Sequence, residues 1–67
     1  MIITKRELDE IDKKILKFCS QGKTVKEIAY QINLSGHTVS ARIKIMKKYF
    51  ECSSIAELVI KTIDLYK

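Results

Sequence analysis

Residues 24–58 read TVKEIAYQINLSGHTVSARIKIMKKYFECSSIAEL, and the architecture of the chain follows from this stretch. Two helical patterns are predicted in it, over about residues 25–32 and over residues 36–50, the latter starting at Gly36 or one residue later. Asn33 ends the first pattern, because asparagine is the non-glycine residue that most readily takes a positive φ angle. Ser35 is the predicted N-cap of the second. Two short helices joined by such a tight turn predict a helix-turn-helix.

Both helices have one apolar face. Thr24 and Glu27 form a capping box at the start of the first one. Its apolar face consists of Val25, Ile28, Ala29 and Ile32. The apolar stripe of the second consists of Val39, Ile43, Met46 and Phe50. Arg42 flanks that stripe, where a helix–helix salt bridge or a snorkelling side chain is a more common role than base reading.

A further helix is predicted before this stretch, over about residues 6–20 or from residue 10 onward. Two N-caps compete for its start: Thr4 in a capping box with Glu7, and Asp9. Gly22 suits the left-handed position after its last turn. Its apolar stripe consists of Leu8, Ile11, Ile15, Phe18 and Cys19.

The last predicted helix covers residues 54–65, with Ser54 and Glu57 as another capping box. Its apolar residues cover more than one face: Ile55, Leu58, Val59, Ile60, Ile63, Leu65 and Tyr66. Two interpretations stay open. The excess is either a self-association surface, with Ile55, Val59 and Ile63 at a dimer interface, or a wide core face with one or two exposed residues.

Length and composition favour a single small all-α domain of four helices over residues 1–67, without a wing. The 67 residues include no proline and two glycines, and helix formers are plentiful. The hydrophobic fraction of 46% excludes a disordered tail.

Positive charge is concentrated on the third helix. The formal net charge is +5, and the first helix mixes acids and bases. Residues 38–50 contain four cations and no acid: Arg42, Lys44, Lys47 and Lys48. A basic face of this kind predicts a polyanionic partner.

Other classes of function find little support in the sequence. One histidine and two distant cysteines, Cys19 and Cys52, make no metal spacing, so neither a metal nor a cofactor is expected. No nucleophile–base pair or phosphate-binding loop indicates an enzyme. No apolar run is long enough for a membrane span and MIITKREL is no signal peptide, which leaves a cytoplasmic location as the expectation.

Four motifs at matching spacing resemble the LuxR/GerE-type helix-turn-helix family. They are Gly22, the run Lys26-Glu27-Ile28-Ala29, the run Ser35-Gly36-His37-Thr38-Val39, and the run Ser54-Ile55-Ala56-Glu57-Leu58-Val59. The register holds from Gly22 to Val59 without a gap. A shorter segment, LDEIDKKIL, also resembles Lrp/AsnC-type winged domains, but no wing-forming strand follows Phe50.

The resemblance implies a double-stranded DNA-binding transcriptional regulator, whose third helix enters the major groove and whose fourth helix mediates homodimerisation. It implies base contacts by Ser40, Ala41 and Lys44. It implies phosphate contacts by Lys26, Thr38, Lys47 and Lys48. The family often has lysine at position 40, histidine at position 42 and glycine at position 51, where this chain has Ser40, Arg42 and Glu51. The first two departures predict altered base readout.

One alternative function stays open. Helix-turn-helix domains are also used to bind another regulator or RNA polymerase, and the apolar fourth helix suits that use. Family members usually carry a receiver or ligand-binding domain before this one, so the chain is expected to be either a stand-alone regulator or an excised domain. A sigma-factor-like promoter-reading region is disfavoured by the closing run from Ser54 to Val59.

Overall fold

The computed structural model describes residues 8–66. These residues form five α-helices and no strand: α1 (Glu10–Ser20), α2 (Val25–Ile32), α3 (Gly36–Tyr49), α4 (Ile55–Lys61) and α5 (Ile63–Tyr66). The predicted all-α class and the helix-turn-helix are therefore confirmed, and no wing follows α3 within the described part of the chain. The two helices of the motif have the predicted bounds, except that α3 ends one residue earlier.

The helices enclose one core beneath the helix-turn-helix. Its fully or almost fully buried apolar residues are Leu8, Ile15, Leu16, Ile28, Ala29, Val39, Ile43, Met46 and Leu58. The faces predicted for α2 and α3 thus point inward, with Phe50 and Val25 half-buried at the edge. The stripe predicted for α1 omitted Leu16, which is completely buried because α4 and α5 cover that side of α1.

Asp9 is the N-cap of α1, and its carboxylate accepts a hydrogen bond of 2.8 Å from the amide of Asp12. The competing start, with Thr4 and Glu7 as capping box, lies outside the described residues. The capping box at α2 is present in full, because Thr24 and Glu27 exchange side-chain–backbone hydrogen bonds of 2.8 and 3.2 Å. The hydrogen bond from the Thr24 amide lowers the pKa of Glu27.

The C-terminal region differs from the single predicted helix over residues 54–65. It breaks at Thr62, which is completely buried and whose hydroxyl donates to the Leu58 carbonyl at 2.7 Å. The capping box predicted at Ser54 is also only half formed. Ser54 accepts from the Glu57 amide, but the Glu57 carboxylate accepts from Ser53 instead, at 2.8 Å from its amide nitrogen. That hydrogen bond is the main cause of the lowered pKa of Glu57.

Each of the first three helices ends at a residue with a positive φ angle: Gly22 at 81°, Asn33 at 58° and Glu51 at 55°. In each case the next amide bonds back to a carbonyl of the last turn, as from Leu34 to Ala29 at 3.0 Å. Gly22 and Asn33 were predicted from the sequence. Glu51 keeps the same geometry without glycine, so the backbone there is strained.

Replacing Glu51 by glycine is expected to stabilise the chain by about 0.5–1 kcal/mol. Relief of the left-handed strain outweighs the greater freedom that glycine gives the unfolded chain. Urea unfolding followed by circular dichroism measures the difference. Glu51→Ala is the control, because it removes the carboxylate but keeps the strain. An equal gain in stability in Glu51→Gly and Glu51→Ala would mean that loss of the charge stabilises the chain, which would contradict the prediction.

The two cysteines, Cys19 and Cys52, are free and half-buried. Burial raises the pKa of the Cys19 thiol. The Cys52 thiol donates to the Phe50 carbonyl at 3.4 Å, which adds a contact to the turn after α3. Both groups thus have packing roles.

Candidate nucleic-acid interface

The turn between α2 and α3 positions the N-terminus of α3 relative to α2. Ser35 caps α3, and its hydroxyl oxygen accepts a hydrogen bond of 3.0 Å from the Thr38 amide. The Ser35 hydroxyl also donates to the Thr38 hydroxyl at 2.9 Å. The Thr38 hydroxyl makes no further hydrogen bond to another of the residues 8–66. The first amides of any helix have no partner within it, so the start of α3 offers donors suited to an anion.

The outward face of α3 carries the residues predicted to contact bases. Ser40, Ala41 and Lys44 are all exposed. Ser40 and Lys44 border a shallow depression with Lys47, and Val25 and Ile43 form part of its floor. The structure therefore brings two of the three predicted base readers together with one of the predicted phosphate contacts.

The remaining predicted phosphate contacts surround this face. Lys48 is exposed on α3, Thr38 is half-buried in its first turn, and Lys26 is exposed on α2. Lys26 borders a second shallow depression with Lys23 and Tyr30, and Tyr30 is 86% exposed.

Arg42 is the one cation of α3 that the protein neutralises within residues 8–66. Its guanidinium lies 2.9 Å from a carboxylate oxygen of Asp12 and 3.1 Å from one of Asp9. Hydrogen bonds to Asp12 and then to Asp9 raise the pKa of Arg42. The ion pair joins α3 to the start of α1, so Arg42 has the salt-bridge role that the sequence favoured.

The three lysines of α3 have no counter-charge within residues 8–66. Among the described residues, no carboxylate forms an ion pair with Lys44, Lys47 or Lys48. Because α3 contains no acid, its outward face has a net positive charge concentrated on one side of the molecule. Such an arrangement attracts a polyanion and leaves the lysine amines available to it.

Replacing Asp9 by alanine is expected to cost about 1 kcal/mol of stability at pH 7, since it removes an N-cap and one partner of Arg42. The amide of Asp12, with the Arg42 guanidinium adding to it, lowers the pKa of Asp9. A lowered pKa stabilises the fold above the unfolded value, near pH 4, and the contribution is lost as the pH falls through the folded value.

Urea unfolding at pH 7 and at several values below pH 4 measures this pH dependence. The difference in the free energy of unfolding between wild type and Asp9→Ala should become smaller as the pH falls. Glu10→Ala is the control, because it removes an exposed carboxylate from the same turn but no cap. A difference in the free energy of unfolding that stays constant down to pH 2.5 would contradict the roles of Asp9 as N-cap and as partner of Arg42.

The predicted dimer residues differ in their exposure. Ile55 is 39% exposed but borders the depression beside Lys44 and Lys47. Val59 is half-buried, and Ile63 is 45% exposed. Ile60, which the prediction did not select, is the most exposed apolar residue of the C-terminal region at 72%.

Two residues were missed in the sequence, one on α3 and one on α4 beside the end of α3. Ile45 is 55% exposed, and it lies outside both the apolar stripe and the chosen base readers. The sequence could have identified it, because a rotation of 100° per residue places Ile45 beside Ala41 on the surface of α3. Lys61 was also missed. Its amine donates to the carbonyls of Phe50 at 3.1 Å and Glu51 at 3.5 Å, and so caps the end of α3.

None of the helices within residues 8–66 is long and apolar enough to cross a membrane. The same residues contain no group of three or more histidine, cysteine or acidic side chains placed to hold a metal ion.

A two-helix motif with a basic, outward-facing second helix is typical of regulatory proteins that bind DNA. The family described as bacterial regulatory proteins, luxR family, matches residues 1–62 by its sequence profile. The chain therefore belongs to the LuxR family, whose members are DNA-binding transcription regulators. Neither the curated proteins nor the solved structures include a significant match.

Proposed function

We propose that this chain binds double-stranded DNA sequence-specifically as a transcriptional regulator, with α3 in the major groove. The observation that carries the proposal is the outward face of α3, where three lysines have no counter-charge within the described residues. The major groove admits one α-helix, and its base edges and flanking phosphates are rich in acceptors for lysine. A regulator of this kind would act in the bacterial cytoplasm.

Base reading belongs to Ser40, Ala41 and Lys44 in this proposal. All three are exposed in the first two and a half turns of α3, the part of a recognition helix that contacts base edges. Lys44 donates to O6 or N7 of guanine, Ser40 either donates or accepts, and Ala41 offers its methyl group to thymine. Arg42 takes no part, because two carboxylates hold it against α1.

Phosphate contacts belong to Lys26, Thr38, Lys47 and Lys48. They come from two helices and surround the base-reading face, as needed to fix a helix in the groove. The Thr38 hydroxyl and the first amides of α3 donate to one phosphate. The lysines supply the part of the affinity that falls with salt, because each contact releases counterions from the DNA.

Dimerisation through the C-terminal region is the second part of the proposal. A single α3 contacts few base pairs, so useful specificity requires two copies on a two-fold site. Exposed Ile55 and Ile63 and the half-buried Val59 form the contact, and the exposure of Ile60 adds apolar area next to them.

Replacing Ile63 by glutamate is expected to weaken binding to a two-fold site about tenfold and to leave binding to a single half-site unchanged. A buried glutamate pair at the two-fold axis opposes association, whereas a monomer tolerates glutamate at a 45% exposed position. Gel-shift titration on both duplexes measures the effect. Gln21→Glu adds the same charge at an exposed position directly after α1 and should change neither affinity. Equal losses on both duplexes would place Ile63 outside a dimer interface.

Selection from a randomised duplex pool at two salt concentrations, followed by sequencing of the bound fraction, tests the function. An enriched motif with two-fold symmetry supports a sequence-reading dimer and gives the half-site spacing. An enriched single half-site supports base reading without the dimer. Salt-sensitive binding without any enriched motif would overturn sequence-specific recognition and leave only a basic surface.

The exposed isoleucines of α4 and α5 favour a second candidate function, binding of another regulator or of RNA polymerase. Ile60 on α4 is 72% exposed and Ile63 on α5 is 45% exposed. This alternative predicts partner binding that is abolished by Ile63→Glu and unaffected by Lys44→Ala. The DNA-binding proposal predicts that Lys44→Ala has the larger effect on duplex binding.

A further inference from the structure

Ala41 and Ile45 form an apolar strip on the outward face of α3. They are one helical turn apart, so they lie about 40° from each other around the helix and about 6 Å along its axis. Both are exposed, Ile45 at 55%. The core is filled from the opposite side of α3 by Val39, Ile43 and Met46, so Ile45 has no core role.

A single exposed isoleucine is ordinary on a protein surface. The position of Ile45 is what makes it informative. It directly follows Lys44, the proposed guanine reader, and shares a shallow depression with Lys48, a proposed phosphate contact. A branched apolar side chain is also a poor choice for a solvated helix position, since lysine, glutamate and alanine all have higher helix propensity.

Major-groove base edges carry only one apolar group. Guanine, cytosine and adenine present donors and acceptors there, whereas thymine presents an acceptor and its C5-methyl group. An apolar side chain that enters the groove therefore gains contact only where it meets a thymine methyl. Beside any other base it covers polar atoms that lose their water.

We propose that Ile45 is a specificity-determining residue that reads the C5-methyl group of a thymine, next to a second thymine read by Ala41. The 6 Å between the two positions corresponds to about two base steps of 3.4 Å. The half-site thus combines a guanine at Lys44 with thymines about two steps apart. This inference rests on the proposed DNA binding by α3 and names the bases that this surface selects.

Substitution of deoxyuridine for thymine tests the inference, because it removes the C5-methyl and nothing else. Each thymine of the selected site is replaced in turn, and the Kd is measured for wild type and Ile45→Ala. At one thymine, uracil should weaken wild-type binding about 3- to 10-fold, the size expected for one methyl contact. Ile45→Ala should lose this sensitivity and bind both duplexes equally.

Two further variants separate a base contact from a structural effect. Ile45→Val keeps part of the apolar contact and should keep part of the uracil sensitivity. Lys44→Ala should bind both duplexes more weakly than wild type, but the ratio of its Kd for the uracil duplex to its Kd for the thymine duplex should equal that of wild type. Circular dichroism verifies that each variant is folded, as expected for exposed positions.

Three results would overturn the inference. Wild-type binding that is unchanged by uracil at every thymine excludes methyl reading. An undiminished uracil effect in Ile45→Ala assigns the methyl contact to another residue. A loss of affinity in Ile45→Ala that is equal for all sequences places Ile45 against the DNA backbone. These results leave the proposed function intact, whereas no binding to any duplex overturns the function and the inference together.

Discussion

Ile28→Ala is expected to remove most of the net stability of the fold at room temperature. Ile28 lies in the middle of α2 and is completely buried against α1 and α3. Truncation of a buried isoleucine to alanine costs about 2–5 kcal/mol, from lost apolar burial and from the cavity that remains. A core in a chain of this length supplies only about 3–5 kcal/mol of net stability, so the loss consumes most of it.

Circular dichroism against temperature and urea measures this loss. The control is Ile45→Ala, which removes the same atoms from a 55% exposed position and should change stability by less than about 0.5 kcal/mol. A cooperative transition of Ile28→Ala within about 1 kcal/mol of wild type would contradict the packing of α2 in the core.

Lys44→Ala is expected to weaken binding to the selected DNA site by about tenfold or more and to relax the preference for guanine. A lysine that donates to a guanine edge contributes about 1–3 kcal/mol of discrimination. The fold should be unaffected, because Lys44 is exposed and forms no ion pair within the described residues.

The matched control is Lys14→Ala, which removes the same charge from an exposed position on α1. Lys48→Ala is the second comparison, since loss of a phosphate contact should weaken binding to all sequences alike. It should also reduce the slope of log Kd against log salt concentration by about one. If Lys44→Ala binds no worse than Lys14→Ala, the assignment of α3 as the base-reading helix is wrong.

The features that the sequence predicted correctly are local ones. The N-caps Thr24 and Ser35 and the left-handed Asn33 each depend on residues within one or two turns, and so does Asp9, one of the two N-caps predicted for α1. Such signals are complete in a short window of sequence. They were enough for the bounds of α2 and for the turn that positions α3.

The features that were missed depend on residues distant in sequence or on tertiary burial. Arg42 pairs with carboxylates 30 and 33 residues away, and no local pattern selects those partners. The helix breaks at Thr62, whose side chain is completely buried and whose hydroxyl donates to the Leu58 carbonyl. Tertiary burial of this kind is not visible in the local sequence. The polar face of α3 was predicted from helical angles, but which of its cations remain without a counter-charge required the fold.

The cap that Lys61 places on the end of α3 has a consequence for the spacing of DNA sites. The Lys61 amine of α4 donates to the carbonyls of Phe50 and Glu51, directly after α3, and so ties the end of α3 to α4. In a dimer joined through α4, the angle between the two reading helices is then set by the protein. Inserting one base pair between half-sites rotates one by about 34° around the duplex axis and breaks that phase. In the proposed dimer, binding would therefore depend on the helical phase of the two half-sites as well as on their bases.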